Sequence, residues 1–159
     1  MDAIVYEEMV PGEEQAVCDL VERVFTELVA PGYEQEGIDA FLGFANPAAL
    51  AERVRSGSFV LVAKQPGKLV GTLEFVLPNR IAMLFVTLRE QGIAKALVTH
   101  AIEKARSKDS TISKVTVHSS PYAEAAYQKM GFRRIGTARI EDGIRYVPME
   151  LVLDDQERS

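Results

Sequence analysis

The sequence contains one cysteine, two histidines and no long hydrophobic run. A lone cysteine, Cys18, forms neither an internal disulfide nor a cysteine metal cluster, and His100 and His118 do not have metal-site spacing. The longest apolar stretches, such as residues 81–86, are about a third of the ~20 residues that cross a bilayer. The acidic N-terminus lacks the features of a secretory signal. We therefore expect a cytoplasmic protein without a metal or a membrane partner.

A surplus of basic residues is also absent, since 23 acidic residues outnumber 18 basic ones and give a net charge of −5. Proteins that bind nucleic acid usually carry the opposite balance, so we expect no nucleic-acid partner. The charge is uneven, because residues 1–58 hold twelve of the acidic residues and only three of the basic ones. Such a split fits an acidic half that meets a cationic partner and a basic half that meets a polyanion, or two solvated faces of one domain.

Hydrophobic periodicity predicts a single α/β domain over residues 1–153, followed by a polar tail at residues 154–159. The order of elements is β-α-α-β-β-β-α-β-α-β-β, with about seven strands in a mixed, mostly antiparallel sheet. An apolar stripe from Val17 to Leu28 predicts a helix that ends at Pro31. Asn46 is the predicted N-cap of a later helix. The other predicted helices cover residues 34–45, 47–56, 92–106 and 121–130, and the predicted strands cover residues 3–8, 59–64, 69–77, 81–86, 115–118, 133–140 and 145–153.

One strand-to-helix junction stands out, where the strand at residues 81–86 leads into a helix that begins Gly92-Ile93-Ala94. Small residues in a first helical turn leave the backbone N–H groups open, and the helix dipole adds positive potential there. The segment therefore predicts an anion site. It is neither a dinucleotide-binding fingerprint nor a P-loop. The alternative is a plain turn that uses glycine for tightness.

A second segment runs from Ser120 to Phe132, with a strand before it, alanine and tyrosine one helical turn apart, and a closing Gly-Phe pair. With both segments in place, the sequence resembles the GNAT family of acyl-CoA-dependent N-acyltransferases. The resemblance covers essentially the whole chain. It rests on the loop at residues 89–94, similar to the family's pyrophosphate loop, and on the motif at residues 120–132.

The resemblance implies a set of residues that bind acetyl-CoA. Backbone groups of Leu84, Phe85 and Val86 pair with the pantetheine, as an added strand would. The implied phosphate-binding and neighbouring cofactor residues are Gly92, Ile93, Ala94, Lys95, Ser120 and Ala123. The loop is two residues shorter than is usual in the family, so either Arg89 or Gln91 faces the pyrophosphate.

The resemblance also implies a catalytic role for Tyr127, at the position of the family's general acid. A phenol with a pKa near ~10 protonates the leaving thiolate, whose thiol has a pKa of ~8.5; the alternative is a core tyrosine. The candidate general bases are Glu74, within a strand, and His118, at a strand end. For Glu74 the alternative is a solvent-facing or arginine-paired residue, and for His118 a polar strand end. An ordered water, or an acceptor that arrives deprotonated, also fits the reaction.

The predicted activity is acetyl transfer from acetyl-CoA to a primary amine, by direct attack in a ternary complex. Acidic and aromatic residues within residues 31–50 predict an acceptor wall that suits a small cationic amine. The alternatives are a non-catalytic acyl-CoA-binding module and an enzyme that acetylates peptide or protein amines. Exposed edge strands make a homodimer a further expectation.

Overall fold

The computed structural model describes residues 3–88 and 91–153, which form one sheet with helices on both faces. The strands are β1 (Val5–Glu8), β2 (Ser58–Gln65), β3 (Lys68–Val76), β4 (Arg80–Val86), β5 (Lys114–Ser119), β6 (Arg133–Arg134), β7 (Arg139–Glu141) and β8 (Ile144–Val152). The α-helices are α1 (Glu14–Val24), α2 (Gln35–Phe44), α3 (Pro47–Arg55), α4 (Ile93–Lys108) and α5 (Glu124–Lys129). The predicted fold class is confirmed. The predicted tail, residues 154–159, lies outside the described residues.

The sheet opens between its two central strands. Its strand order is β1-β2-β3-β4-β5-β8-β6, with β7 also paired to β8. Among the strands of the described residues, only β4 and β5 pair in parallel, and their ladder consists of Arg80 opposite Thr116 and Ile81 opposite Val117. Because β4 stays paired with β3 as far as Val86, it diverges from β5 beyond Ile81.

The two faces of the sheet are covered by different helices. On one face, α4 and α5 pack against the central strands, and buried Leu97 and Tyr127 belong to the same apolar cluster as Phe75. On the other face, α1 and α3 bury Val21 and Leu50 in a separate cluster. No helix in residues 3–88 and 91–153 is long and apolar enough to cross a membrane.

A glycine allows α4 to approach the sheet closely. A Cβ atom added to Gly71 on β3 would lie 3.0 Å from Cγ2 of Ile93 and 3.2 Å from Cδ1 of Leu97. The missing side chain therefore lets the first turns of α4 pack directly beside the C-terminal end of β4.

Several element boundaries differ from the sequence-based prediction. The first helix changes after Val24 into a π-helical turn and then a short 3-10 turn, so the apolar stripe does not mark one regular helix. The three helices predicted before residue 58 are all present as α1, α2 and α3, so the predicted element order, which counts two there, is one helix short. The strand predicted for residues 133–140 is two short strands, which gives eight strands. The last predicted helix begins at Glu124 instead of residue 121, because residues 121–123 form turns.

Candidate active site

The exposed backbone edge of β4 is the first component of the site. Glu74 pairs with Met83 and Phe75 pairs with Ile81, so a bulge at Ala82 coincides with the divergence from β5. Farther along β4, Leu84, Phe85 and Val86 are half-buried and have no ladder partner on the β5 side within residues 3–88 and 91–153. Their free backbone groups suit a ligand that adds to β4 as a short strand would.

The N-terminus of α4 is the second component. Gly92 has φ +74°, and a Cβ atom added there would meet nothing within 4 Å, so the space above this turn is open. The first hydrogen bond of the helix runs from the N–H of Ala96 to the carbonyl oxygen of Gly92. The N–H groups of Ile93, Ala94 and Lys95 precede that bond and have no partner within the helix. They can bind an anion.

The register of the short loop before α4 is only partly described. Gln91 is exposed immediately before Gly92. The other predicted phosphate ligand, Arg89, lies outside the described residues.

Tyr127 lies on α5, on the face of the sheet that α4 covers. Its ring packs edge-on against Phe132 at 5.2 Å between ring centroids, and the side chain is buried. Burial raises the pKa of the Tyr127 hydroxyl far above its ordinary value, so the phenol keeps its proton at physiological pH. The hydroxyl makes no hydrogen bond to any residue of the described chain. Tyr127 thus has the protonation state that a proton donor needs.

Ser120 and Ala123 form the turn that leads into α5. The N–H of Ala123 donates to Oγ of Ser120 at 3.2 Å. This contact fixes the start of the segment that carries Tyr127. The serine hydroxyl therefore closes the turn before α5, whose N-cap is Ala123.

His118 lies on the opposite face of the sheet from Tyr127. Its neighbours along β5, Val117 and Ser119, are buried on the α4 face, so alternation turns His118 the other way. Its ring stacks on that of Tyr146 at 4.2 Å. Partial burial and the nearby guanidinium groups of Arg80 and Arg139 lower the pKa of the imidazole, against the opposing effect of a nearby glutamate. His118 is therefore neutral at pH 7 and can accept a proton.

Glu74 is fully buried and paired with an arginine. Nε and Nη2 of Arg53 donate to the two carboxylate oxygens at 2.8 and 3.0 Å. Nη1 of Arg53 donates to the carbonyl oxygen of Phe44, whose ring lies 3.7 Å below the guanidinium. Both oxygens of Glu74 are therefore occupied. The sequence did not single out Arg53, because the pair spans 21 residues and joins a helix to a strand.

The Arg53–Glu74 pair gives a stability prediction. Arg53→Met leaves a buried carboxylate without its partner, so we expect the free energy of unfolding to fall by about 3–5 kcal/mol. Arg55→Met is the matched control, because Arg55 pairs with Glu52 on the exposed side of α3, where an ion pair contributes about 0–1 kcal/mol. Urea denaturation of the two variants measures the difference. If Arg53→Met lowers the free energy of unfolding no more than the roughly 0–1 kcal/mol expected for Arg55→Met, the buried pair does not stabilise the fold.

The predicted acceptor wall is aromatic on its inner side. Phe41 stacks on Phe25 at 4.1 Å and approaches Phe85 of β4 at 5.8 Å. The acidic residues that the sequence placed in this wall are instead exposed to solvent; they are Glu34, Glu36 and Asp39. This happens because α2 is amphipathic and turns its apolar side towards the sheet.

The wall is joined to the β7–β8 hairpin, a contact that the sequence did not reveal. The Tyr33 hydroxyl donates to the carbonyl oxygen of Arg145 at 3.0 Å. A Cβ atom added to Gly37 would lie only 2.2 Å from the carbonyl oxygen of Gly143, so the two backbones touch. The segment from Tyr33 to α2 therefore bridges from α1 to β8 on the same face as His118.

The acidic residues of α1 do not create a negatively charged pocket. A cavity of about 770 Å³ lies between α1, the start of β3 and the end of β4. Its charged lining consists of Asp19, Glu27, Arg23 and Lys68. Two acids and two bases balance each other, so this cavity does not select a cation by charge alone.

Comparisons with known proteins agree with this geometry. A protein-family model described as an acetyltransferase (GNAT) domain matches residues 29–153. The structure is similar to a GCN5-related N-acetyltransferase from Rhodopseudomonas palustris, with a TM-score of 0.82, 19% identity and coverage of 96% of this chain and 98% of that one. It is also similar to the PaiA N-acetyltransferase from Thermoplasma acidophilum in complex with coenzyme A, with a TM-score of 0.76, 18% identity and coverage of 95% and 99%.

A sequence relative supports the same assignment over a shorter stretch. The UPF0039 protein C11D3.02c of Schizosaccharomyces pombe is 32% identical over 65 residues. That stretch is 41% of this chain and 43% of the relative, so the chain matches less than half of the relative's length. The family match, in contrast, covers most of the chain and includes β4, α4 and α5. The chain belongs to the GNAT family of acetyltransferases.

Proposed function

We propose that the protein transfers an acetyl group from acetyl-CoA to the primary amine of a small molecule, by direct attack within a ternary complex. The amine reaches the site as a cationic ammonium group and loses a proton before it attacks. The observation that carries this proposal is the opening between β4 and β5, which has Tyr127 on one side of the sheet and His118 on the other.

The two faces of the sheet suit the two substrates. The open amides of α4 and the buried Tyr127 lie on the same face, so the pyrophosphate and the sulfur of acetyl-CoA belong there. Because α4 and α5 cover that face, the amine approaches from the face that carries His118. The thioester then lies in the opening, between a proton donor and a proton acceptor.

Each proton has a named carrier in this reaction. Nε2 or Nδ1 of the neutral His118 accepts a proton from the ammonium group, directly or through a water. The freed amine nitrogen forms a bond with the thioester carbon, and a tetrahedral intermediate results. The carbon–sulfur bond then breaks and the Tyr127 hydroxyl gives its proton to the thiolate. The second proton, which the nitrogen loses as the amide forms, restores the Tyr127 hydroxyl, and the proton held by His118 passes to solvent. The products are the acetamide and coenzyme A.

Release of coenzyme A tests the proposal. The purified protein is mixed with acetyl-CoA and a panel of primary amines, and the free thiol is measured. We expect release that depends on an amine, with an equal amount of acetylated product. A protein whose Tm rises with acetyl-CoA but which releases no coenzyme A with any amine would be an acyl-CoA-binding module instead.

The pH dependence tests the role of His118. Because the pKa of His118 in the free protein is lowered below its ordinary value of 6.5, kcat/KM for the amine is expected to be constant near pH 7 and to fall at pH values below 6.5 as the imidazole becomes protonated. His118→Gln removes this acidic limb and lowers kcat by about 10²-fold, the low end of the usual range for general base catalysis.

His100→Gln is the control for the pH experiment. It is the only other histidine, and its ring stacks on Tyr6 of β1, away from the opening. Its pH profile should match that of the unchanged protein. An acidic limb that persists in His118→Gln would assign the proton acceptor to another group.

A further inference from the structure

Four side chains form a row across four neighbouring strands, on the face from which the amine approaches. The row consists of Arg80 on β4, His118 on β5, Tyr146 on β8 and Arg139 on β7. Arg139 lies directly opposite Tyr146, whose ring stacks on His118. Arg80 lies opposite Thr116, two residues before His118 and on the same face. The row therefore extends from the β4–β5 opening to the β7–β8 hairpin.

The two arginines of the row have no carboxylate partner in the described part of the chain. Arg23 of α1 and Arg145 of β8 likewise have none, whereas Arg53, Arg55, Arg133 and Arg134 each form an ion pair with a glutamate. Farther along the same face, the charge is balanced, since Glu150 lies within 4 Å of both Lys114 and Arg133. Among the strand residues that share the face of His118, the arginines without a carboxylate partner thus lie at the end that adjoins the opening.

The acid that faces the row is already occupied. One carboxylate oxygen of Glu141 accepts a hydrogen bond from the Tyr146 hydroxyl at 2.9 Å. With His118 neutral, Arg80 and Arg139 contribute two positive charges and Glu141 one negative charge. The row and Glu141 together therefore have a net charge of +1, which one carboxylate group would neutralise.

We propose that the acceptor is an amino carboxylate, whose carboxylate is bound by Arg80 and Arg139 while its amine faces His118 and the thioester. The inference rests on the proposed acetyl transfer and names the acceptor for it. Guanidinium groups bind carboxylates through paired, charge-assisted hydrogen bonds. When the row binds the carboxylate of a short amino carboxylate, the amine at the other end of that molecule lies beside His118, at the point where β5 separates from β4.

The test compares acceptors that differ only at the end remote from the amine. Glycine, β-alanine and 4-aminobutyrate are each paired with the corresponding amide, and kcat/KM is measured from coenzyme A release. In at least one pair, kcat/KM for the carboxylate is expected to exceed kcat/KM for the amide by about 10- to 150-fold, because hydrogen bonds to charged groups typically contribute this much. Three lengths are used because the acceptor must span the distance from the bound carboxylate to the thioester in the opening.

Substitutions of the row provide the second measurement. Arg80→Gln and Arg139→Gln are each expected to lower the ratio of kcat/KM for the carboxylate to that for the amide by about tenfold or more, mainly through KM. Arg55→Gln, at an exposed ion pair on α3, should leave this ratio unchanged. A variant that folds poorly would lose kcat/KM for the carboxylate and for the amide alike. A variant that has lost only the carboxylate site would lose kcat/KM for the carboxylate alone.

Three results would overturn the inference. They are equal use of carboxylates and amides by the unchanged protein, a ratio that neither substitution alters, and a preference for 2-aminoethyl phosphate over every carboxylate. If none of these amines supports coenzyme A release, the proposed acetyl transfer itself has failed. Reaction of the amides therefore distinguishes loss of the carboxylate site from failure of the acetyl transfer.

Discussion

Gly92→Leu is expected to abolish the rise in Tm that acetyl-CoA gives the unchanged protein. Ligand at a hundred times its dissociation constant adds about 2.7 kcal/mol to the free energy of unfolding, which is roughly 5–10 °C for a domain of this size. A side chain on Gly92 extends into the open space above the first turn of α4, because nothing lies within 4 Å of its Cβ position. That is the space through which a phosphate would reach the amides.

Gly57→Leu is the control, since substituting Gly92 also strains the backbone. Both glycines have positive φ, and neither has an atom within 4 Å of an added Cβ. Gly57 precedes β2, at the opposite end of the sheet from Gly92. Each substitution lowers the Tm by itself through the cost of about 1–2 kcal/mol for a left-handed residue with a side chain. Only Gly92→Leu should also lose the rise in Tm that acetyl-CoA causes. If millimolar acetyl-CoA gives the unchanged protein no shift, the cofactor assignment is wrong.

The parts of the fold that the sequence predicted well depend on local patterns. The β2-β3-β4 meander follows from alternating apolar residues between turns, and α4 follows from a clear apolar stripe. Asn46 caps α3 through a hydrogen bond from the N–H of Ala49 at 2.9 Å, as the sequence predicted. Errors occur where local signals were weak. The strand predicted for residues 133–140 is interrupted, and the end of the first helix changes its hydrogen-bonding pattern.

The parts of the site that the sequence missed depend on contacts between distant segments. Periodicity places Glu74 on a strand face, but only the fold brings Arg53 to it. The same holds for the row, because Arg80 and Arg139 are 59 positions apart and meet through the strand order β4-β5-β8-β7. Position in the sequence alone predicts that the acids around α2 belong to the acceptor wall. In the structure they are on the solvent side of that helix.

Tyr127→Phe is expected to lower kcat by about 10²- to 10⁴-fold while acetyl-CoA still raises the Tm, because a lost general acid typically costs that much. The substitution removes only the hydroxyl, and the ring contact with Phe132 is retained. Burial raises the pKa of this hydroxyl, so the proton is present at every pH between 6 and 9 and the loss should be the same across that range. The loss should shrink with an acetyl thioester whose thiol is more acidic, since a stable thiolate leaves without a proton.

Tyr6→Phe serves as the control for Tyr127→Phe. Tyr6 also packs against the large core cluster, but it does so from the edge strand β1, so its hydroxyl is remote from the opening between β4 and β5. It should keep full kcat. Single-turnover measurements ensure that the chemical step, not product release, is compared. Should Tyr127→Phe keep full kcat in that experiment, Tyr127 is a core residue, and the proton for the departing thiolate comes from water or from another group beside the opening.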